Sequence, residues 1–102
     1  MMRISEPDWR LLTKLKPLAL DRLCAEILAK VKQVAGDTTQ NHHERYLKVF
    51  TIIDEQDKRI AYIFNGLSRS NALSRLARMK EERLLTEAEV AMFSQEAQGA
   101  AE

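Results

Sequence analysis

The sequence predicts an all-α protein, a small bundle of four main helices. Apolar residues return every three or four positions along most of the chain, which is the period of an amphipathic helix. Only three glycines and two prolines interrupt the 102 residues, whereas an all-β chain needs a turn about every ten residues. A chain of this length forms one domain that buries roughly 65% of its unfolded surface. We therefore predict a single helical domain over residues 1–98 and a frayed tail over 99–102.

The first predicted helix begins at Ser5, a hydroxyl N-cap that is followed by a proline and two carboxylates in the first turn. The apolar pattern then continues to Val34. Pro17 lies inside this pattern and has no N–H to donate, so we expect the helix to be kinked or split there. Gly36 is placed to end the helix as a left-handed cap residue.

The second predicted helix begins at Asn41, which forms a capping-box variant with Glu44 three residues later. Asn65-Gly66 is a strong signal for its end. One face of this helix carries a single apolar stripe, formed by Tyr46, Phe50, Ile53, Ile60, Phe64 and Leu67.

Two shorter helices are predicted after residue 66. Ser68 or Ser70 is expected to cap the third helix. Thr86 and Glu89 have the spacing of a capping box, which predicts the start of a fourth.

The predicted core draws on all four helices. Its members are Trp9, Leu12, Leu20, Leu23, Ile27, Val31, Tyr46, Phe50, Ile53, Ile60, Phe64, Leu73, Leu76, Val90 and Phe93. The stripes of the two long helices are wide for so short a chain, so part of that surface is expected to pack against a second copy. An isologous homodimer is the simplest arrangement, because symmetric dimers are the commonest oligomers.

Composition restricts the function classes. Sixteen basic and fifteen acidic residues leave a net charge of +1, which creates no overall field to attract a polyanion. Cys24 is the only cysteine, and a lone thiol is typical of a reducing compartment. The first residues lack the apolar segment of a signal peptide, and the longest apolar run, Ile60 to Phe64, is too short to span a membrane. We expect a cytoplasmic protein.

Asp57 interrupts the apolar stripe of the second helix, four residues after Ile53 and three before Ile60. A carboxylate in an apolar core requires a partner, because its desolvation costs several kcal/mol. One interpretation is a buried polar pair with Arg69 or another arginine that fixes helix register or a subunit interface. The other is that the stripe opens to solvent between Asp54 and Arg59.

No residue set predicts catalysis or a cofactor. His42 and His43 are adjacent, so on a helix they point about 100° apart and do not converge on one metal ion. Cys24 lies in the core stripe and is expected to act as a small apolar residue. The chain contains no serine elbow and no glycine-rich phosphate loop. We therefore predict no metal, no cofactor and no enzymatic activity.

Segment 59–85 resembles a bacterial helix-turn-helix. The resemblance rests on Ile60-Ala61, Gly66-Leu67-Ser68 and Leu73-Ser74-Arg75, about a quarter of the chain. It implies that the third helix enters the major groove of DNA, with contacts from Arg69, Asn71, Arg75 and Arg78. The alternative is a plain helical hairpin whose arginines face solvent.

Two function classes therefore remain. The sequence favours a non-enzymatic protein–protein interaction or assembly module, whose partner is a second copy or another protein. The alternative is a DNA-binding regulator that uses segment 59–85.

Overall fold

The computed structural model describes residues 3–100, which form five helices and no strand. The all-α prediction is confirmed, with five helices where four main ones were expected. No helix in this range is long and apolar enough to cross a membrane. The helices are α1 (Glu6–Ala35), α2 (His42–Phe64), α3 (Ala72–Glu81), α4 (Glu87–Ala91) and α5 (Gln95–Ala100).

Helix α1 begins where the sequence predicted, since the Ser5 hydroxyl accepts a hydrogen bond from the backbone N–H of Asp8. Of the two alternatives expected at Pro17, the split does not occur, since thirty residues form one continuous helix, and the kink stays a prediction. Pro17 and Thr13 are both exposed, so water can reach the Thr13 carbonyl that lacks a donor. Gly36 has a φ of −89° and is therefore not the left-handed cap that was expected.

Helix α2 also begins as predicted, with the Asn41 side chain accepting from the backbone N–H of Glu44 at 2.8 Å. Gly66, with a φ of +69°, ends it in a left-handed turn. Neither Ser68 nor Ser70 caps α3, which begins after Asn71. The Asn71 side chain instead closes the turn, accepting from the Ser68 N–H and donating to the Gly66 carbonyl.

The predicted fourth helix is divided into α4 and α5. Thr86 and Glu89 form the predicted capping box at the start of α4. Ser94 separates the two helices, and its hydroxyl accepts from the backbone N–H of Ala97 as an N-cap does. Helix α5 includes Gly99 and Ala100, the first half of the predicted tail, while 101–102 lie outside the described residues.

Helices α1 and α2 form a long antiparallel hairpin, and α3–α5 pack against one end of it. Ion pairs join early α1 to the segment after α2 (Glu6–Arg69) and mid-α1 to late α2 (Glu26–Arg59). At the other end, which we call the arm (residues 28–35 and 42–53), no residue is buried. The longest dimension is 52 Å. The buried core is Ile4, Leu12, Leu15, Ala19, Leu23, Ile27, Ile63, Phe64, Ala72, Leu76, Met79, Leu84, Leu85, Phe93 and Ala97.

Three predicted core residues, Tyr46, Phe50 and Ile53, are exposed instead. The reason is topological, because within residues 3–100 α3–α5 pack at the other end of the hairpin and leave these side chains uncovered. The remaining predicted core residues are buried or packed against the buried cluster.

Candidate interaction surface

Four large apolar side chains are exposed on one side of the arm, which we call the open face. Leu28 of α1 is 62% exposed, and Tyr46, Phe50 and Ile53 of α2 are 64, 60 and 45% exposed. The three α2 residues are separated by four and three positions, so they lie on one side of that helix. Scattered apolar residues are common on protein surfaces, whereas a cluster of this kind is typical of a contact site.

The open face lies on the opposite side of the hairpin from α3. Arg59 of α2 pairs with Glu82 at the end of α3 and with Glu26 of α1. Phe50 precedes Arg59 by nine residues, which at about 100° per residue places the two on opposite sides of α2. Leu28 follows Glu26 by two residues and lies about 160° around α1 from it. The four side chains of the open face stay 45–64% exposed, so no helix within residues 3–100 covers it.

The arm is held together beneath this surface. Ala35, Tyr46 and Val49 line a shallow groove between its two helices. Ala35 follows Leu28 by seven residues and so lies on the same side of α1. The Arg45 guanidinium donates to the Ala35 carbonyl at 2.8 Å, which ties the start of α2 to the end of α1.

The α2 residues of the open face form one half of a heptad seam on that helix. Phe64 is 2% exposed and Ile60 packs against the core, whereas Phe50 and Ile53 are exposed to solvent. Asp57 lies between the two halves and is exposed. Alternating steps of three and four residues are the pattern of a coiled-coil seam. The seam consists of His43, Tyr46, Phe50, Ile53, Asp57, Ile60 and Phe64.

The structure does not bring the predicted pair Asp57 and Arg69 together. Asp57 is exposed on α2, and Arg69 binds Glu6 at 2.8 Å while its guanidinium stacks over the Trp9 ring. The prediction of a buried pair was wrong because the stripe opens to solvent at Asp57, the second interpretation that the sequence left open. Arg69 instead fastens the turn after α2 to the first turn of α1.

The four residues that the helix-turn-helix resemblance assigned to DNA all make contacts within the fold. Arg75 donates to the carbonyl of Tyr62 near the end of α2. Arg78 stacks on the Tyr62 ring at 4.6 Å and donates to its hydroxyl. Arg69 and Asn71 have the contacts described above. The turn spans residues 65–71, longer than the three or four residues of a helix-turn-helix.

The buried acid of this fold is Asp8, which the sequence analysis placed at a helix start and not in the core. Asp8 is 5% exposed, and its carboxylate accepts from the backbone N–H of Ser94 at 2.9 Å and from the hydroxyls of Ser94 and Ser5. Burial raises the pKa of Asp8, but these hydrogen bonds outweigh it, and the net pKa is lowered. A signal existed: Asp8 precedes Leu12 by four residues, in line with the buried stripe.

A second polar tie joins α1 to α4. Arg22 makes a two-pronged ion pair with Glu89, at 2.7 and 3.0 Å, and donates to the Leu84 carbonyl. The hydrogen bond from Arg22, helped by the backbone N–H of Thr86, lowers the pKa of Glu89 to about 2. Sequence patterning identified Glu89 as a capping residue but carried no sign of its partner 67 positions away.

The structure places the two histidines and the cysteine on different helices. His42 and His43 are exposed at the start of α2, and Cys24 is half-buried in α1. Within residues 3–100, no three His, Cys, Asp or Glu side chains are grouped as metal ligands.

Comparisons with known proteins identify no relative. No protein-family model matches the chain, and neither the curated proteins nor the solved structures contain a significant match. The assignment of the open face as a candidate contact surface therefore depends on its geometry alone.

Proposed function

We propose that this chain is a non-enzymatic protein-interaction or assembly module, cytoplasmic, with the open face as its contact surface. The observation that carries the proposal is the cluster of Leu28, Tyr46, Phe50 and Ile53, each 45–64% exposed on one side of two packed helices. Burying an apolar side chain of this size contributes about 1.5–3 kcal/mol. A partner that covers the cluster therefore gains a substantial driving force.

The support beneath the cluster favours binding. Both helices are anchored in the core through residues such as Leu23, Ile27 and Ile63. Little backbone freedom is lost when a partner docks on such a scaffold, which lowers the entropic cost of association. Tyr and Phe are also enriched at the centres of protein interfaces.

The contacts of the arginines support this choice over DNA binding. The guanidinium groups of three arginines, Arg69, Arg75 and Arg78, donate hydrogen bonds within the fold. In a helix that reads a DNA groove, such groups donate to bases and phosphates instead. The near-neutral net charge of +1 provides no compensating field.

In-cell photo-cross-linking tests the proposal. A benzophenone amino acid replaces Phe50 in one variant and Glu55, an exposed residue about 140° around the same helix, in the control. We expect a covalent protein adduct from position 50 and none from position 55. No adduct from position 50, or equal adducts from both, would overturn the proposal. The mass of the adduct distinguishes a second copy from another protein.

A further inference from the structure

We infer that the occupant of the open face is a second copy of this chain, packed with its α2 antiparallel to the first. This inference rests on the proposed function and names the partner. The twofold axis of the dimer crosses the seam midway between Phe50 and Ile53. Phe50 of each copy therefore packs on Ile53 of the other. Tyr46 then lies opposite Asp57, because both are equally far from the axis.

The size of the apolar cluster fits such a dimer. An aromatic side chain buries about 150–250 Å² when fully covered, so the exposed parts of the four apolar side chains offer roughly 400 Å² per copy. A standard interface buries about 800 Å² per partner, of which about 60% is apolar. A single open face therefore supplies most of the apolar area that a stable dimer needs.

The polar groups on the seam select the antiparallel orientation. Asp57 is exposed and makes no salt bridge with any residue in 3–100. In a parallel pairing of the two α2 helices, Asp57 meets Asp57 of the other copy, and two facing carboxylates repel. In the antiparallel pairing, the Tyr46 hydroxyl donates to Asp57, and His43 lies one turn away as a second donor. Only this orientation satisfies the acid within the seam.

Helices α3 and α4 lie away from the part of the seam that holds Phe50 and Ile53. The ion pairs of Arg59 with Glu82 and of Arg22 with Glu89 hold α3 and α4 on the other side of the hairpin. Neither α3 nor α4 therefore blocks Phe50 and Ile53, the residues beside the twofold axis, which are 60 and 45% exposed. The heptad spacing of the seam supplies the shallow crossing angle of a left-handed coiled coil.

Sedimentation equilibrium of the full chain up to about 500 µM tests whether the second copy binds. We expect a monomer–dimer equilibrium that Phe50→Asp weakens by about 30-fold or more, since a buried interface aromatic is a typical hot spot. Met92→Asp is the matched control, because Met92 is 65% exposed and lies after α4. A monomer throughout, or equal effects of the two variants, would overturn the inference. If position 50 still cross-links to another protein, the proposed function survives that outcome.

Cysteine trapping in a Cys24→Ser background tests the orientation. Tyr46→Cys mixed with Asp57→Cys is expected to give a mixed disulfide, whereas Asp57→Cys alone is expected to give little dimer. Positions 46 and 57 are about 16 Å apart along one helix, so a parallel pairing does not join them. A disulfide between two Asp57→Cys copies, in place of the mixed one, would overturn the antiparallel arrangement.

Discussion

The two halves of the α2 seam have the same pattern and opposite surroundings. Phe64 is 2% exposed within the core, while Phe50, fourteen residues earlier on nearly the same side of the helix, is 60% exposed. Hydrophobic periodicity specifies which side of a helix is apolar. It does not specify which element covers that side, and here residues 3–100 cover only one half of the seam.

Side-chain hydrogen bonds differ in the same way between the α3–α5 end of the hairpin and the arm. Asp8, Arg22 and Arg59 each join α1 or α2 to the α3–α5 region through hydrogen bonds between residues distant in sequence. In the arm, Arg45 makes the contact that closes the hairpin, across only ten residues. The end of the hairpin that carries α3–α5 is therefore fixed by contacts between distant residues, whereas the open face of the arm has no such contacts within residues 3–100.

The largest expected effect compares the two phenylalanines. Phe64→Ala is expected to lower the free energy of unfolding by about 3–5 kcal/mol, because it opens a cavity in the core. Phe50→Ala is expected to change it by less than about 0.5 kcal/mol in the monomer. Urea denaturation followed by Trp9 fluorescence at about 1 µM protein, where self-association contributes little, measures both. Similar losses for the two variants would contradict the difference in burial.

The next effect compares two acids. Asp8→Ala is expected to cost about 2–3 kcal/mol, because it leaves the Ser94 N–H and two hydroxyls without their charged acceptor. Asp57→Ala, at an exposed position, is expected to change the stability of the dilute monomer by less than about 0.5 kcal/mol. Amide hydrogen exchange at α5 provides a local measurement, since Asp8 holds the residue that precedes α5. Unchanged hydrogen exchange at α5 in Asp8→Ala would show that the hydrogen bonds between Asp8 and Ser94 do not hold α5 in place.

The smallest effect concerns Glu89. Its pKa in the folded protein is lowered to about 2 from an ordinary value of 4.5, so its contribution is complete above pH 4.5 and is lost as the pH falls toward 2. Glu89→Gln keeps the capping box but removes the ion pair with Arg22, at a cost of about 1 kcal/mol at neutral pH. The gap between the two proteins should close as the pH falls through this window. A gap that persists at pH 2 would show that the ion pair is not its source.

Local signals in the sequence were sufficient for most helix starts. Ser5, Asn41 and Thr86 each accept from a backbone N–H three residues later, as their spacing predicts. Such caps involve neighbours in sequence, and so they can be recognised without the fold. The start of α3 was missed because the Asn71 side chain closes the preceding turn instead of capping the helix.

Features that depend on distant residues were the ones that the sequence could not supply. The pairing of Arg22 with Glu89, and of Arg69 with Glu6, spans more than sixty positions. Ser94 divides the last helix because its N–H and hydroxyl bind Asp8, at the other end of the chain. Tyr46, Phe50 and Ile53 were assigned to the core because a stripe on one helix is identical whether its cover is intramolecular or a partner.

Oxidative footprinting of the two tyrosines tests most directly whether the open face is a contact surface. Tyr46 and Tyr62 are 64 and 61% exposed, but Tyr46 lies on the open face and Tyr62 contacts Arg78 on the α3 side. In dilute purified protein the two rings should be oxidised at similar rates. In cells we expect the oxidation of Tyr46 to fall several-fold relative to that of Tyr62. An unchanged ratio would contradict the assignment of this face to a partner.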